Sequence, residues 1–396
     1  MSPQKKLRVL HITPEPPEKF CGVRLVMHRH LIERSPFDLL VATNRDYLSV
    51  PLPHEDLRLP YLLQRLRRSR LGPVTAKWIT DYENMIWAFQ WHWDLARIIE
   101  RFQPDILLAL AHNGLSEISL RMARHYHLPL VGLFLDWFPI MDGHYGHSWT
   151  CTSLSRRFRS FYKRCDLAFC TSDGMQEVLG PHPNSHVIYP MPGTHLIPDT
   201  PSPPKSAKFR LVYVGSVERF YGRMLASLIE KIEMTKDLEI IVVGPNADWP
   251  TDVLERAKAK GIYLGFKPPA EAAAVLAGAD ALLVVMSFEK EYELFMRTSF
   301  TTKFLDYVAF AKPVIMWGPE YCSPFRVSQK HGGALVVNQL DPGSVVSACY
   351  QLANNPVLQK KLSVEARRLH ETLFNPNRLQ NIFVSEMEKL VAAHRL

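Results

Sequence analysis

Residues Ile262–Pro319 read IYLGFKPPAEAAAVLAGADALLVVMSFEKEYELFMRTSFTTKFLDYVAFAKPVIMWGP. Within them, Ala281–Met286 is an unbroken apolar run with no polar alternation. Runs of that kind read as parallel strands covered on both faces. A polar loop is predicted over Ser287–Arg297, then a helix over Phe300–Ala311, then a second buried strand over Pro313–Trp317. Strand, loop, helix, strand is a βαβ unit. Its loop and helix start lie at the carboxyl end of the sheet, where open α/β sheets take ligands.

Outward from this unit the same alternation repeats. On its amino side, Phe209–Gly215 and Leu238–Gly244 read as strands that each end in glycine, with helices over Gly222–Met234 and Asp252–Lys260. The run Ile262–Gly265 again ends in glycine, and Ala270–Ala279 reads as helical. On its carboxyl side come a last strand, Ala334–Val337, and helices over Pro342–Ala353 and Asn355–Glu371. The first half holds an independent series of strands: Leu7–Thr13, Phe37–Thr43, Pro104–Leu110, Leu128–Leu135 and Cys165–Cys170. Helices are predicted over Val23–Arg34, Trp78–Glu100, Leu115–His125 and Asp173–Leu179. Between the halves, PMPGTHLIPDTPSPPKSAK (Pro190–Lys208) is dense in proline, which breaks both helix and strand. The expected organisation is therefore an N-terminal domain over 1–190, a linker over 191–208 and a C-terminal domain over 209–374. A final helix over 375–396 is expected to pack back on the N-terminal domain. The fold class is α/β, with two doubly wound Rossmann-like domains and a cleft between them.

Composition narrows the function classes. A chain of 396 residues suits two domains, and 47% hydrophobic residues suffice for sizeable cores. No apolar run reaches the roughly 18 residues of a membrane span. The start, Met1–Lys6, leads straight into a strand, so no signal peptide is expected. Six scattered cysteines without a Cys-x-x-Cys pair argue for reduced thiols in a cytoplasm and against a zinc ribbon. A net charge of +8 favours anionic partners such as a nucleoside diphosphate or an acidic membrane. Nucleic acid is not expected, because no zinc-finger or RNA-recognition signature is present. Tyr61–Leu71 (YLLQRLRRSRL) mixes leucines with Arg65, Arg67, Arg68 and Arg70. It reads either as a solvated basic helix or as a helix lying on an anionic membrane.

Several positions could carry chemistry. Gly22 stands where the first loop turns into a helix, as a ligand-approaching residue or as a simple turn. Lys303 and Asp306 are three apart on a predicted helix and so share a face, as a ligand-binding pair or as a surface salt bridge. His112 and Asp136 end adjacent strands of the first half, and Asp142, His144 and His147 follow Asp136. No Asp-x-Asp follows a strand and no histidines stand at ligand spacing on one helix, so no metal is expected.

On these residues the chain resembles the glycosyltransferases of GT-B fold, specifically the large retaining family that uses nucleotide sugars. The landmarks are Gly215 after Tyr213-Val, Gly244 in Ile-Val-Val-Gly-Pro, Gly265-Phe266, Ala279-Asp280-Ala-Leu-Leu, and Leu305-Asp306 leading to Lys312-Pro313-Val-Ile. The pattern Thr302-Lys303-x-x-Asp306-Tyr307 resembles the S-K-x-x-E-Y of bacterial polysaccharide enzymes. The resemblance implies a nucleotide-sugar donor on the C-terminal domain and a saccharide or lipid-linked acceptor on the N-terminal domain. It implies transfer with retention, no metal, and catalytic roles for Asp136 and His112. The donor would be held by Gly22, Gly215, Arg219, Arg223, Gly244, Phe266, Arg297, Thr298, Lys303 and Asp306. Departures are also plain. The family's E-x7-E is Thr298 and Asp306 here, so one carboxylate is missing, with Glu289, Glu291 or Glu293 as substitutes. Its basic pair after the first C-domain strand is replaced by Ser216 and by Tyr221 before Gly222. The alternatives are a nucleotide-sugar 2-epimerase of the same fold, or a binding protein that has lost catalysis.

Overall fold

The computed structural model describes residues 6–19, 22–44, 52–140, 147–193 and 207–395. Asp142, His144, Cys21 and most of the expected linker lie outside the described residues. The chain divides into two compact units. One is Met1–Tyr189 with Leu379–Leu396, and the other is Pro190–Arg378.

The first unit is built on seven parallel strands: β1 (Arg8–Ile12), β2 (Asp38–Thr43), β3 (His54–Asp56), β4 (Ile106–Leu110), β5 (Leu130–Phe134), β6 (Leu167–Cys170) and β7 (Ser185–Val187). Their order is β3-β2-β1-β4-β5-β6-β7. All registers are parallel, with Val9 beside Leu39 on one side and Ile106 on the other. The β4 and β5 strands are wholly buried, as their unbroken apolar sequences require. The order reverses between β1 and β4, so the ligand crevice of this sheet lies beyond the carboxyl ends of those strands.

The second unit carries five parallel strands: β8 (Phe209–Val214), β9 (Leu238–Val243), β10 (Ala281–Val285), β11 (Val314–Trp317) and β12 (Leu335–Val337). Their order, β12-β11-β10-β8-β9, reverses between β8 and β10. Ile240, Val242, Leu283, Ile315 and Trp317 form the core between the sheet and the helices Arg219–Glu233 and Pro342–Ala353.

Three sequence expectations change. The aromatic segment Trp78–Glu100 is not one helix. It forms Gly72–Met85, a 3₁₀ turn at Trp87–Phe89, and Trp93–Phe102. Trp87, Phe89, Trp91 and Trp93 repeat every two residues, which fits no helix face, and the His92 ring closes the break onto the Trp87 carbonyl at 2.9 Å. The stretch Ser287–Arg297 is not all loop, since Lys290–Tyr292 is 3₁₀ and Glu293–Thr298 is helical. The expected helix Phe300–Ala311 is trimmed to Thr302–Val308. The edge strand β3, sequence His-Glu-Asp, has no apolar signal; it pairs with β2, and its Glu55 is also held by Arg101 at 2.5 Å.

Candidate functional site

In the second unit the carboxyl edge of β8 and β10 gathers the donor candidates. Gly215 follows β8 with φ +153° and donates to the Val243 carbonyl at 2.9 Å. A Cβ on Gly215 would sit 2.0 Å from Cε of Lys303, so glycine here is the room taken by that lysine stem. Gly244 follows β9, and a Cβ there would lie 2.0 Å from the Gly215 carbonyl oxygen. The Gly244 amide in turn donates to the Gly265 carbonyl at 3.0 Å. Phe266 leaves from that same edge and is 70% exposed.

Lys303 stands at the start of the helix Thr302–Val308. Its ammonium lies 4.4 Å from the Tyr221 ring centroid and 5.6 Å from that of Tyr213. Aromatic faces attract a cation without neutralising it. Burial lowers the Lys303 pKa to about 8, and Asp306 works in the opposite direction. Among the described residues no carboxylate forms an ion pair with it. The helix itself is pinned to β8 by Tyr307, whose hydroxyl accepts from the Val214 amide at 2.8 Å and donates to the Val214 carbonyl at 3.0 Å. The Asp306 carboxylate accepts from the Gly193 amide at 3.1 Å.

The other donor candidates fare differently. Arg223 is exposed and engaged with Glu289 at 2.6 Å, and that hydrogen bond raises its pKa. Of the three substitutes for the missing carboxylate, Glu289 is therefore committed to a cation. Arg219, with φ +57°, opens its helix and donates its amide to Asp248 at 2.7 Å. Arg297 is exposed, and its carbonyl accepts the Ser323 hydroxyl at 2.5 Å. Thr298 is fully buried and turns its hydroxyl onto the Leu294 carbonyl at 2.7 Å, inside its own helix. The structure thus joins Gly215, Gly244, Lys303 and Asp306 in one cluster. Sequence reasoning passed over Tyr213, Tyr221 and Tyr307. The signal for Tyr221 was available, because it stands where the resemblance leads one to expect a basic pair.

In the first unit, His112 follows β4 and is buried. Its amide donates to the Ser116 hydroxyl at 3.1 Å, and its ring centroid lies 4.7 Å from that of Phe138. Asp136 follows β5 and is half-buried. The two candidates therefore stand at the same carboxyl edge, on neighbouring strands. Gly22 has φ +52° and an open approach, with nothing within 4 Å of a built Cβ. Beside it, Arg24 is held by Glu15 at 2.5 Å and Glu18 at 2.8 Å. Two carboxylates against one guanidinium suit a neutral ligand group better than a phosphate. A pair absent from the sequence reading is Asp81 with His147. The Asp81 carboxylate meets His147 Nδ1 at 2.5 Å and accepts the His147 amide at 3.2 Å, while Trp78 packs on the imidazole at 4.4 Å between centroids. The separation of 66 positions hides that pair from local pattern.

Of the four arginines of Tyr61–Leu71, Arg65 and Arg70 are exposed. Arg67 turns inward onto the buried Glu83 at 2.6 Å. Among the described residues no three His, Cys, Asp or Glu side chains gather to hold a metal, and no helix is long and apolar enough to cross a membrane.

Residues 50–191 match the model of a family described as Glycosyltransferase Family 4. No curated protein matches the sequence. Among solved structures, the chain is similar to Anabaena HepE in complex with UDP and glucose, at TM-score 0.67 and 12% identity over 97% of this chain and 100% of that one. It is similar to a sucrose-phosphate synthase from Thermosynechococcus elongatus, at TM-score 0.68 and 13% identity over 98% and 100%. It is also similar to a glycosyltransferase from Rickettsia africae, at TM-score 0.68 and 13% identity over 98% and 99%. At these identities the likeness shows the fold, two Rossmann-like domains of GT-B architecture.

Proposed function

We propose that the protein is a glycosyltransferase that moves a sugar from a nucleoside diphosphate sugar to an acceptor held by its N-terminal unit. The family match over 50–191 and the GT-B fold support the class of reaction. The observation that carries the donor reading is Lys303, a buried cation seated on tyrosine faces, with Asp306 near enough to raise its pKa but in no ion pair with it among the described residues. A diphosphate supplies the missing anion. Asp306, one turn along the helix, would accept hydrogen bonds from the ribose hydroxyls. As the bond from the anomeric carbon to the diphosphate oxygen breaks, negative charge grows on the departing diphosphate. Lys303 is placed to stabilise that charge, and only a group that does so more strongly in the transition state raises the rate. The acceptor oxygen forms the new bond to the anomeric carbon and gives up its proton to the departing diphosphate, on the same face if the outcome is retention. Arg219 and Arg297 would add positive charge around the donor, whereas Arg223 is paired with Glu289, and the reading needs no metal. Asp136 and His112 would meet the acceptor hydroxyl or the donor sugar.

The acceptor is a saccharide or a lipid-linked saccharide, and we assign the N-terminal unit a peripheral contact with anionic lipid. The helix Tyr61–Arg68 buries no residue, and Tyr61 and Leu62 are 74% and 76% exposed. Leu71, Val74 and Trp78 are exposed beside it, and Arg65 and Arg70 complement an anionic surface.

The donor reading is tested by thermal shift with UDP, GDP, ADP, CDP and dTDP, on the wild-type chain and on Lys303→Met. UDP comes first, since the Anabaena protein is complexed with it. One nucleotide should raise the melting temperature of the wild type by mass action, and Lys303→Met should lose most of that shift. A wild type that answers none of the five, or a variant that answers equally, overturns the reading.

A further inference from the structure

The geometry points to a second anion site, in the N-terminal unit, that binds the phosphate group of a phosphorylated acceptor. This inference rests on the reading of that unit as the acceptor half. A cavity of about 470 Å³ opens at the carboxyl end of β2, lined by Asn44, Asp56, Arg58, Gln64, Arg67 and Arg68. That volume lies within the range of roughly 300–1,000 Å³ typical of small-molecule sites. It sits on the same carboxyl edge of the all-parallel sheet as His112 and Asp136.

Three features make it a built site. Gln64, Arg67 and Arg68 are spaced i, i+3 and i+4 on the helix Tyr61–Arg68, so one face of that helix is turned to the cavity. Arg65 and Arg70 do not line it. Asn44 has both Nδ2 and Oδ1 buried, and among the described residues neither finds a partner. A donor and an acceptor left bare in this way call for a polar ligand. Arg58 forms no ion pair among the described residues, while Glu83 holds and orients Arg67 at 2.6 Å. Three guanidiniums, Arg58, Arg67 and Arg68, line it with Asp56, and the planar guanidinium fork matches phosphate oxygens. Asp56 at the rim suits sugar hydroxyls. The phosphate ester has two sources, a soluble sugar phosphate or the headgroup of a lipid. Leu62, on the opposite face of the same helix, and the exposed Tyr61 at its start would suit the second.

The test uses the full chain and titrates inorganic phosphate, then a hexose 6-phosphate, by thermal shift and calorimetry. In parallel, phosphatidylcholine vesicles with and without phosphatidic acid are used in flotation. The proteins are wild type, Arg58→Gln, Arg68→Gln, Arg65→Gln as a surface control in the soluble titrations only, and Lys303→Met to remove ion binding at the donor site. Wild type, Arg65→Gln and Lys303→Met should bind a phosphate ester. Arg58→Gln and Arg68→Gln should weaken that binding at least about tenfold while keeping the nucleotide response. Tighter binding of the soluble ester identifies a sugar phosphate, and Arg58-dependent flotation with phosphatidic acid alone identifies a headgroup. Phosphate binding that ignores Arg58 and Arg68, or that vanishes in Lys303→Met, overturns the site, as does no binding of either ester. A failed nucleotide response with Arg58-dependent phosphate binding would overturn the donor reading and leave this site standing.

Discussion

Lys303 and Gly215 act as one unit at the scale of single residues. The lysine stem passes where a Cβ on residue 215 would be, 2.0 Å from its Cε, so Gly215→Ala must displace the lysine or strain a backbone at φ +153°. Because the obstructing atom belongs to a flexible side chain, the damage should fall on the ligand. Nucleotide affinity should drop at least about tenfold, or about 1.4 kcal/mol, in a chain that still folds. Gly244→Ala meets the Gly215 carbonyl oxygen instead, and backbone cannot step aside. That variant should lose about 1–3 kcal/mol of stability, read as a lower urea midpoint. Equal stability of the two variants would show that the glycines are not packed as described. The lowered pKa of Lys303, about 8, adds a pH signature. The protonated form binds anions, so diphosphate affinity should fall as pH rises from 7 through 9, and Lys303→Met should flatten that profile. A wild-type affinity independent of pH over this range would remove the lysine from the diphosphate.

At the scale of elements, the short helix Thr302–Val308 matters more than its length suggests. Seven residues cannot hold a helix by propensity. Phe304, Leu305 and Val308 are fully buried, and the Tyr307 hydroxyl bridges the Val214 amide and carbonyl. The surrounding packing, not local preference, sets where Lys303 points. Tyr307→Phe removes both hydrogen bonds and should cost about 1–2 kcal/mol, with a several-fold loss of nucleotide affinity. Affinity unchanged by calorimetry would mean that the helix is positioned by its apolar contacts alone. The C-terminal helix Pro376–His394 shows the opposite case. Leu379, Phe383, Met387 and Val391 recur every four residues and are buried, so its apolar stripe is visible in the sequence. Gln380 is not part of that stripe. It donates to the His30 and Arg34 carbonyls and meets His30 Nδ1 at 2.9 Å, which no pattern could announce.

For the whole molecule, two buried histidines contribute to the loss of stability in acid. Burial lowers His11 and His30 to about 4, below the usual 6.5 of an exposed imidazole. The unfolded chain therefore binds more protons than the native one between pH 6.5 and 4. Stability is fully present above pH 6.5 and is lost as pH falls toward 4, on the order of 3 kcal/mol for each ring. Melting temperature should decline across that window. His11→Leu should start less stable at pH 7.5 yet lose less on acidification. Parallel pH profiles for the two proteins would show that the His11 ring is not held neutral.

The sequence by itself determined the architecture. Unbroken apolar runs such as Ala281–Val285 and Ile106–Leu110 must be covered on both faces, and their alternation with helical stretches leaves only parallel sheets. Glycines after β8 and β9 and the spacing of Lys303 and Asp306 were legible for the same reason, since they are local. The broken aromatic segment, the helix within Ser287–Arg297 and the edge strand β3 were not, because tertiary contacts outweigh weak local preference there. Only the tertiary structure decided which charges are available. Arg223 is committed to Glu289, Arg67 to Glu83 and Arg24 to Glu15 and Glu18, whereas Lys303 rests on tyrosine faces. The carboxylate partners lie up to 66 residues away, as Glu289 does from Arg223. A formal charge can be counted along a chain, but its electrostatic worth depends on which atoms the fold places within a few ångströms of it.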